Sequence, residues 1–327
     1  MNDPRQIDGV LVQWGDRLFY PGNRRTPAGQ GGARWGGGLH DRAATIRSRI
    51  AATVVRHAPQ VMVKVTGGGR GMGAIAAHFR YISKGGRLPI EDDRGLEREG
   101  KEALRDLVEQ WRLGGSRIPE VSVRREAFNI MLSMPAGTKP EFVQSAAREF
   151  AKDELANHRY VMVLHTHQAN PHVHLSVKAE GRDGQRLNPR KEDLRRWRET
   201  FAERLRGWGI EAEASSQATR GARHRNEQVW ERKTADQREP SPARAGSLPT
   251  GIGKQALQAW AEIMRALAAS PDTSDRKLAQ SINQYLGRMP AVQAIVREQA
   301  RQRELPGMSR SPLTAPSQQR RGPDIER

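Results

Sequence analysis

Hydrophobic and polar positions alternate with two different periods along this chain, and the switches between them mark out one compact region from Gln60 to about Gly221. Short apolar runs at 60–66 and 127–134 predict β-strands, and a strand-turn-strand pattern over 160–179 predicts a β-hairpin. Apolar residues at helical spacing predict helices over 72–84, 97–113, 140–156 and 190–208. In the first of these, Ile75, Phe79 and Ile82 form an i, i+4, i+7 stripe, which leaves Ala77, His78, Tyr81 and Lys84 on another face. The returning strand of the hairpin has period two. His172, His174, Ser176 and Lys178 share one face and Val173, Leu175, Val177 and Ala179 the other, the pattern of a strand with one packed and one working side.

Outside this region the pattern weakens. The run Gly29-Gln-Gly-Gly-Ala-Arg-Trp-Gly-Gly-Gly38 makes residues 1–57 a basic, glycine-rich lead segment, with one helix expected over 41–57. Beyond Gly221 the chain turns polar and Arg-rich, with Pro240 and Pro242, as a charged linker over 222–253 does. Helical periodicity returns at 254–270, 274–286 and 291–303, a small helical region over 254–305, before a basic tail at 306–327 expected to be disordered. The expected architecture is α+β: a mainly antiparallel central sheet over 58–221, helices on one face, the other face open as a groove, and the helical C-terminal region appended.

Composition narrows the partner. The 327 residues include 55 Lys or Arg against 37 Asp or Glu, a formal charge of +18 and a pI near 11.0. Such a balance attracts polyanions, and Arg, the commoner cation here, suits phosphate. Cysteine is absent, which excludes disulfides, thiolate nucleophiles and cysteine zinc fingers. With no secretory leader and no apolar run approaching the roughly 18 to 20 residues a membrane span needs, the expectation is a cytoplasmic chain without membrane insertion.

Candidate chemistry gathers in the hairpin. Four of nine histidines lie in the ten residues His165-Thr-His167-Gln-Ala-Asn-Pro-His172-Val-His174. On a strand His172 and His174 point the same way about 6.6 Å apart, close enough to share one metal ion. The turn Gln168-Ala-Asn-Pro171 brings the preceding strand back beside them, and by parity either His165 or His167 supplies a third ligand. Among the four tyrosines Tyr20, Tyr81, Tyr160 and Tyr285, Tyr81 stands off its helix's apolar stripe and is available to a substrate. The turn Gly67-Gly-Gly-Arg-Gly-Met-Gly73 fits a GxGxxA pattern, but no second parallel strand follows to carry the acidic residue a dinucleotide site needs; it reads as a close-approach loop with Arg70 facing a phosphate.

These elements, in this order, resemble a known family. Tyr81 in Phe-Arg-Tyr-Ile-Ser-Lys-Gly-Gly, Ser133 in Met-Leu-Ser-Met-Pro-Ala-Gly-Thr, and His165-x-His-x4-His172-Val-His174 look like the three ordered motifs of conjugative relaxases, the MobP-type mobilisation nucleases of the HUH endonuclease superfamily, to which the T-DNA border nucleases are similar. The resemblance spans about residues 60–221. It implies that Tyr81 attacks a phosphodiester of single-stranded DNA at an origin of transfer, leaving a 3′-hydroxyl and a 5′-phosphotyrosyl link. It further implies a divalent metal, Mg²⁺ or Mn²⁺ by family and Mn²⁺ or Zn²⁺ by ligand chemistry, on His165, His172 and His174, with His167 as an alternative or supporting group. Ser133, Arg70, Lys84 and Lys178 would contact DNA, and relaxosome accessory proteins and a type IV secretion coupling protein would be partners. Two departures are visible: many relatives read His-x-Asp where this chain has His165-Thr-His167, which leaves the general base open, and Lys178 stands where an Asn is usual. Two competing classes fit less well. A metal-dependent hydrolase of small substrates has no need of the +18 charge, and a non-catalytic single-strand nucleic-acid binder would call for more than 5% aromatic residues.

Overall fold

A computed structural model of the chain describes residues 3–19, 38–216, 219–221 and 251–304. Helices α1 (Pro4–Phe19) and α2 (Leu39–Val54) precede β1 (Met62–Gly67), α3 (Met72–Ile82), β2 (Ile90–Asp92), β3 (Glu97–Arg98), α4 (Lys101–Leu113), β4 (Ala127–Ser133), α5 (Pro140–Glu154), β5 (Tyr160–His165), β6 (His172–Lys178) and α6 (Lys191–Gly207). Three further helices follow: α7 (Gly251–Ala268), α8 (Thr273–Arg288) and α9 (Pro290–Glu304). The strands form one six-stranded sheet in the order β1-β4-β6-β5-β2-β3, with every pairing antiparallel. The α+β architecture with an antiparallel sheet is the one read from the sequence.

Period two decides what each face of the sheet packs against. Ile130, Leu132, Met162, Val173, Leu175 and Val177 point to one side and meet Phe150 of α5 and Trp197 and Phe201 of α6. Val161, Val163 and Ala127 point to the other, where they receive the stripe of α3 (Met72, Ile75, Phe79, Ile82) and Leu107 and Trp111 of α4. Helices therefore lie on both faces. The expectation of one covered and one open face is corrected: the α3 stripe needs an apolar floor, and β5 supplies it. The second face stays open toward β1, where Met62, Lys64 and Thr66 are exposed.

Two strands were missed. Residues 90–92 and 97–98 pair as β2 and β3, and the helix read at 97–113 begins only at Lys101. Their acidic letters hide them. Glu91 is buried because Arg148 of α5 reaches both of its carboxylate oxygens at 2.8 and 2.9 Å, and Asp92 because Arg94 and Arg98 donate to it at 2.8 and 2.9 Å. Although burial opposes ionisation, those bonds draw Asp92 down to about 2.

Helices from the first and last described segments pack together. Residues 4–19, read as part of a flexible lead segment, form α1, whose Ile7, Leu11 and Leu18 share one apolar cluster with Ile46 and Ile50 of α2, Trp260, Ile263 and Leu267 of α7 and Ile282 of α8. This cluster is fastened to the sheet region by Arg49, which pairs with Glu213 at 3.0 Å and Glu199 at 3.1 Å. The glycine-rich run up to residue 37, most of the linker read at 222–253 and the tail beyond 304 lie outside the described residues. Among the described residues no helix is long and apolar enough to cross a membrane.

Candidate active site

The hairpin β5–β6 brings three imidazoles together by register alone. His165 is paired across the strands with His172, and Val163 with His174, so His165, His172 and His174 project from the same face. Their ring centroids lie 5.1, 4.6 and 5.0 Å apart, and one ligand nitrogen from each falls within 4.8 Å of the others. His165 and His172 are buried. His167, in the turn, is exposed, with its ring 5.0 Å from that of His165; it lies beside the group rather than in it. The alternatives left open by strand parity are thus separated by the end of β5 at His165.

Backbone carbonyls orient two of the rings. The carbonyl of Ile82, at the end of α3, lies 2.6 Å from His165 Nε2, and that of Asn170 lies 2.9 Å from His172 Nδ1. A carbonyl only accepts, so those nitrogens carry the protons, and Nδ1 of His165 and Nε2 of His172 keep their lone pairs. His174 has a buried Nδ1 with no hydrogen-bond partner among the described residues. Burial pushes His174 down to about 3, helped by the neighbouring His165 and His172. Burial likewise holds His165 below the ordinary imidazole range, against the bond to Ile82 and with the charges of His172, His167 and Lys84 assisting. Converging imidazoles with an unmet nitrogen fit a divalent transition-type ion, which takes imidazole lone pairs and leaves positions for oxygen ligands.

Helix α3 delivers the tyrosine. Its apolar stripe seats it over β5, the Ile82 carbonyl of its last turn accepts from His165 Nε2–H, and Tyr81 emerges 70% exposed with its ring 6.4 Å from that of His174. The helix is closed by Ser83, whose hydroxyl donates to the Phe79 carbonyl at 2.7 Å. The chain then turns through left-handed Lys84 (φ 50°), Gly85 (φ 72°) and Gly86 (φ 87°). A side chain at Gly86 would meet the backbone of Gly100 at 2.8 Å, so this turn requires glycine there. It leaves the Lys84 ammonium close enough to depress both His165 and His167.

The other tyrosines are poorly placed. Tyr160 points to the opposite face of β5, inside the apolar cluster, where burial pushes its phenol up to about 12. Tyr285 packs against Trp260 in the helical cluster, and burial raises it too. Tyr20 lies outside the described residues.

Several expected DNA contacts are not assembled here. Ser133 is buried opposite His172, and its hydroxyl donates to the Pro171 carbonyl at 3.3 Å; it ties the turn ahead of His172 to β4. Lys178 is buried at the far end of β6, where its ammonium donates to the carbonyls of Gly114 and Ser116 at 3.0 and 2.8 Å. It fastens the end of α4 through two of its three N–H donors. Arg70 is exposed but precedes α3, and about 14 Å of helix, from Met72 to Tyr81, separates it from the tyrosine. One side chain was passed over: His78, one turn before Tyr81, lies in the site with its ring 6.3 Å from Tyr81 and 6.4 Å from His174. Its position beside Tyr81 on the helix was the available signal.

Residues 84–210 match the family model described as relaxase, MobA/VirD2-like, nuclease domain. The match contains the whole histidine group and begins three residues after Tyr81. A comparison with curated proteins finds no match.

Proposed function

We propose, from the match of residues 84–210 to the family model of the MobA/VirD2-like relaxase nuclease domain, that the chain nicks one DNA strand at an origin of transfer and keeps the cut strand as a 5′-phosphotyrosyl ester on Tyr81. The Tyr81 oxygen attacks the phosphorus, the bond from phosphorus to the 3′-oxygen breaks, and that oxygen leaves with the electron pair and takes up a proton as a 3′-hydroxyl. One phosphodiester replaces another, so the link conserves the bond for later rejoining.

The observation that carries this reading is the exposed Tyr81 ring 6.4 Å from a ring of the three-histidine group. Exposure lets the phenol reach a phosphate, while the stripe of α3 fixes where it starts from. His165, His172 and His174 would hold a divalent ion, Mg²⁺ or Mn²⁺, with Zn²⁺ also suited to imidazole. When bound, the ion supplies positive charge to the scissile phosphate and makes an adjacent phenolate less costly. Lys84, beside His165 and His167, adds charge for a flanking phosphate. His167, exposed at the rim, is free to take a proton or assist the ligands. Arg70 would meet the strand further along.

In a cell such a nick initiates conjugative transfer or mobilisation of a plasmid or integrative element. The partners would be single-stranded DNA, relaxosome accessory proteins and a type IV secretion coupling protein, met in the cytoplasm. The test is an origin-containing single strand labelled at its 3′ end and incubated with Mn²⁺. The label should become covalently attached to the protein, and a 5′-end label should not. Retention of the adduct by Tyr81→Phe would remove the nucleophile, and failure of the wild type to form any adduct would remove the function.

A further inference from the structure

On α3 the residues turned inward are apolar, Met72, Ile75, Ala76, Phe79 and Ile82, with one polar neighbour that the reaction above does not use. His78 is stacked on Tyr81, with ring centroids 6.3 Å apart and an interplanar angle of 27°. Its edge meets His174 at 6.4 Å and 78°, and Tyr81 meets His174 at 6.4 Å and 79°. Three rings thus stand at the corners of a nearly equilateral triangle: the nucleophile, a metal-ligand candidate and His78. The Nε2 of His78 is buried and has no hydrogen-bond partner among the described residues. A buried nitrogen left unmet weakens the fold, and at a functional site such a group is accounted for by a partner that arrives with the substrate.

We propose that His78 is a further catalytic residue whose Nε2–H donates to a non-bridging oxygen of the scissile phosphate. This rests on the relaxase reading. For Tyr81 to attack a phosphate held beside His174, the phosphorus must lie over the triangle, within reach of its third corner. Phosphate oxygens only accept, so they complement an imidazole N–H, and a donor fixed in place before the reaction stabilises charge as it spreads over those oxygens. The stack on Tyr81 places donor and nucleophile on one rigid helical turn.

The experiment measures single-turnover adduct formation for wild type, His78→Phe and His78→Gln on a strand carrying each phosphorothioate diastereomer at the mapped nick site. The Phe variant keeps a ring against Tyr81 without a donor, and the Gln variant keeps a donor that cannot accept a proton. The expectation is that Phe slows the adduct by about 100-fold with DNA affinity unchanged within about twofold, and that Gln recovers most of that loss. One diastereomer, not rescued by Mn²⁺, should slow wild type and add nothing to the Phe variant. A Phe variant within about threefold of wild type, a Gln variant as slow as Phe, or a sulfur effect that persists without His78 would each overturn the assignment. An inactive wild type would instead overturn the relaxase reading beneath it.

Discussion

The two faces of hairpin β5–β6 are built from alternate residues of the same strands, yet they obey opposite rules. On one, Met162, Val173, Leu175 and Val177 are buried against Phe150, Trp197 and Phe201. On the other, His165, His172 and His174 converge, and the buried Nδ1 of His174 has no hydrogen-bond partner among the described residues. The apolar face returns free energy at about 25 cal/mol for each Å² removed from water, while crowded neutral imidazoles return little. The difference teaches that the packed face holds the strands in register and the polar face uses that register. A stability function and a chemical function are separated by one residue along the chain.

Substitutions can break this separation, and the largest effect belongs to the polar side. Tyr81→Phe should lower adduct formation by about 10⁴-fold or more while leaving the melting temperature unchanged, because Tyr81 is largely exposed and the substitution keeps its ring. Next, Leu175→Ala should cost about 2–5 kcal/mol in denaturant titration, with the metal affinity of the remaining folded protein preserved. His174→Ala, its neighbour in sequence, should do the reverse: metal affinity falls at least about tenfold by calorimetry, and metal-free stability holds or rises as an unmet nitrogen is removed. If His174→Ala unfolds the protein, the two faces are not separable as described.

Acid sharpens the same contrast. His174, held at about 3, stays neutral in the folded chain, and His165, held below its ordinary range, takes its proton only at a lower pH than in the unfolded chain, where imidazoles protonate near 6.5. The unfolded state then binds more protons, so the stability of metal-free protein is full above about pH 6.5 and is lost as the pH falls below it. Thermal melts between pH 7.5 and 5 should show this decline, with a shallower slope in His174→Ala. The smallest effect is expected at Ser133→Ala, about 1 kcal/mol of stability through the lost bond to Pro171, with no change in DNA affinity. A selective loss of DNA binding there would restore the direct contact that the buried hydroxyl argues against.

Much of the site was legible because its residues are local in sequence. The alternation from His172 to Ala179 and the turn before it were enough to predict the hairpin, and the stripe Ile75, Phe79, Ile82 was enough to turn Tyr81 outward. What stayed hidden depends on partners distant in sequence. Glu91 reads as a surface residue until Arg148 reaches it from α5. The stripe of α1 completes its packing surface only with α7, which follows some 240 residues later, beside the nearer α2. Lys178 and Ser133 were assigned to DNA because their chemistry suits phosphate, and no local pattern announces that carbonyls of Gly114, Ser116 and Pro171 take their hydrogen bonds. His78 was visible as a neighbour of Tyr81, but its burial against His174 was not.

The central claim is that Tyr81 and the three-histidine group are halves of one strand-cleaving site. It is tested most directly by isolating the protein–DNA adduct formed with Mn²⁺, digesting both polymers and locating the residual nucleotide by tandem mass spectrometry. The account predicts a nucleotide mass on Tyr81, absent from the His174→Ala protein under the same conditions. A nucleotide on Tyr20, Tyr160 or Tyr285, or an adduct on Tyr81 that forms equally well without the histidine, would contradict it.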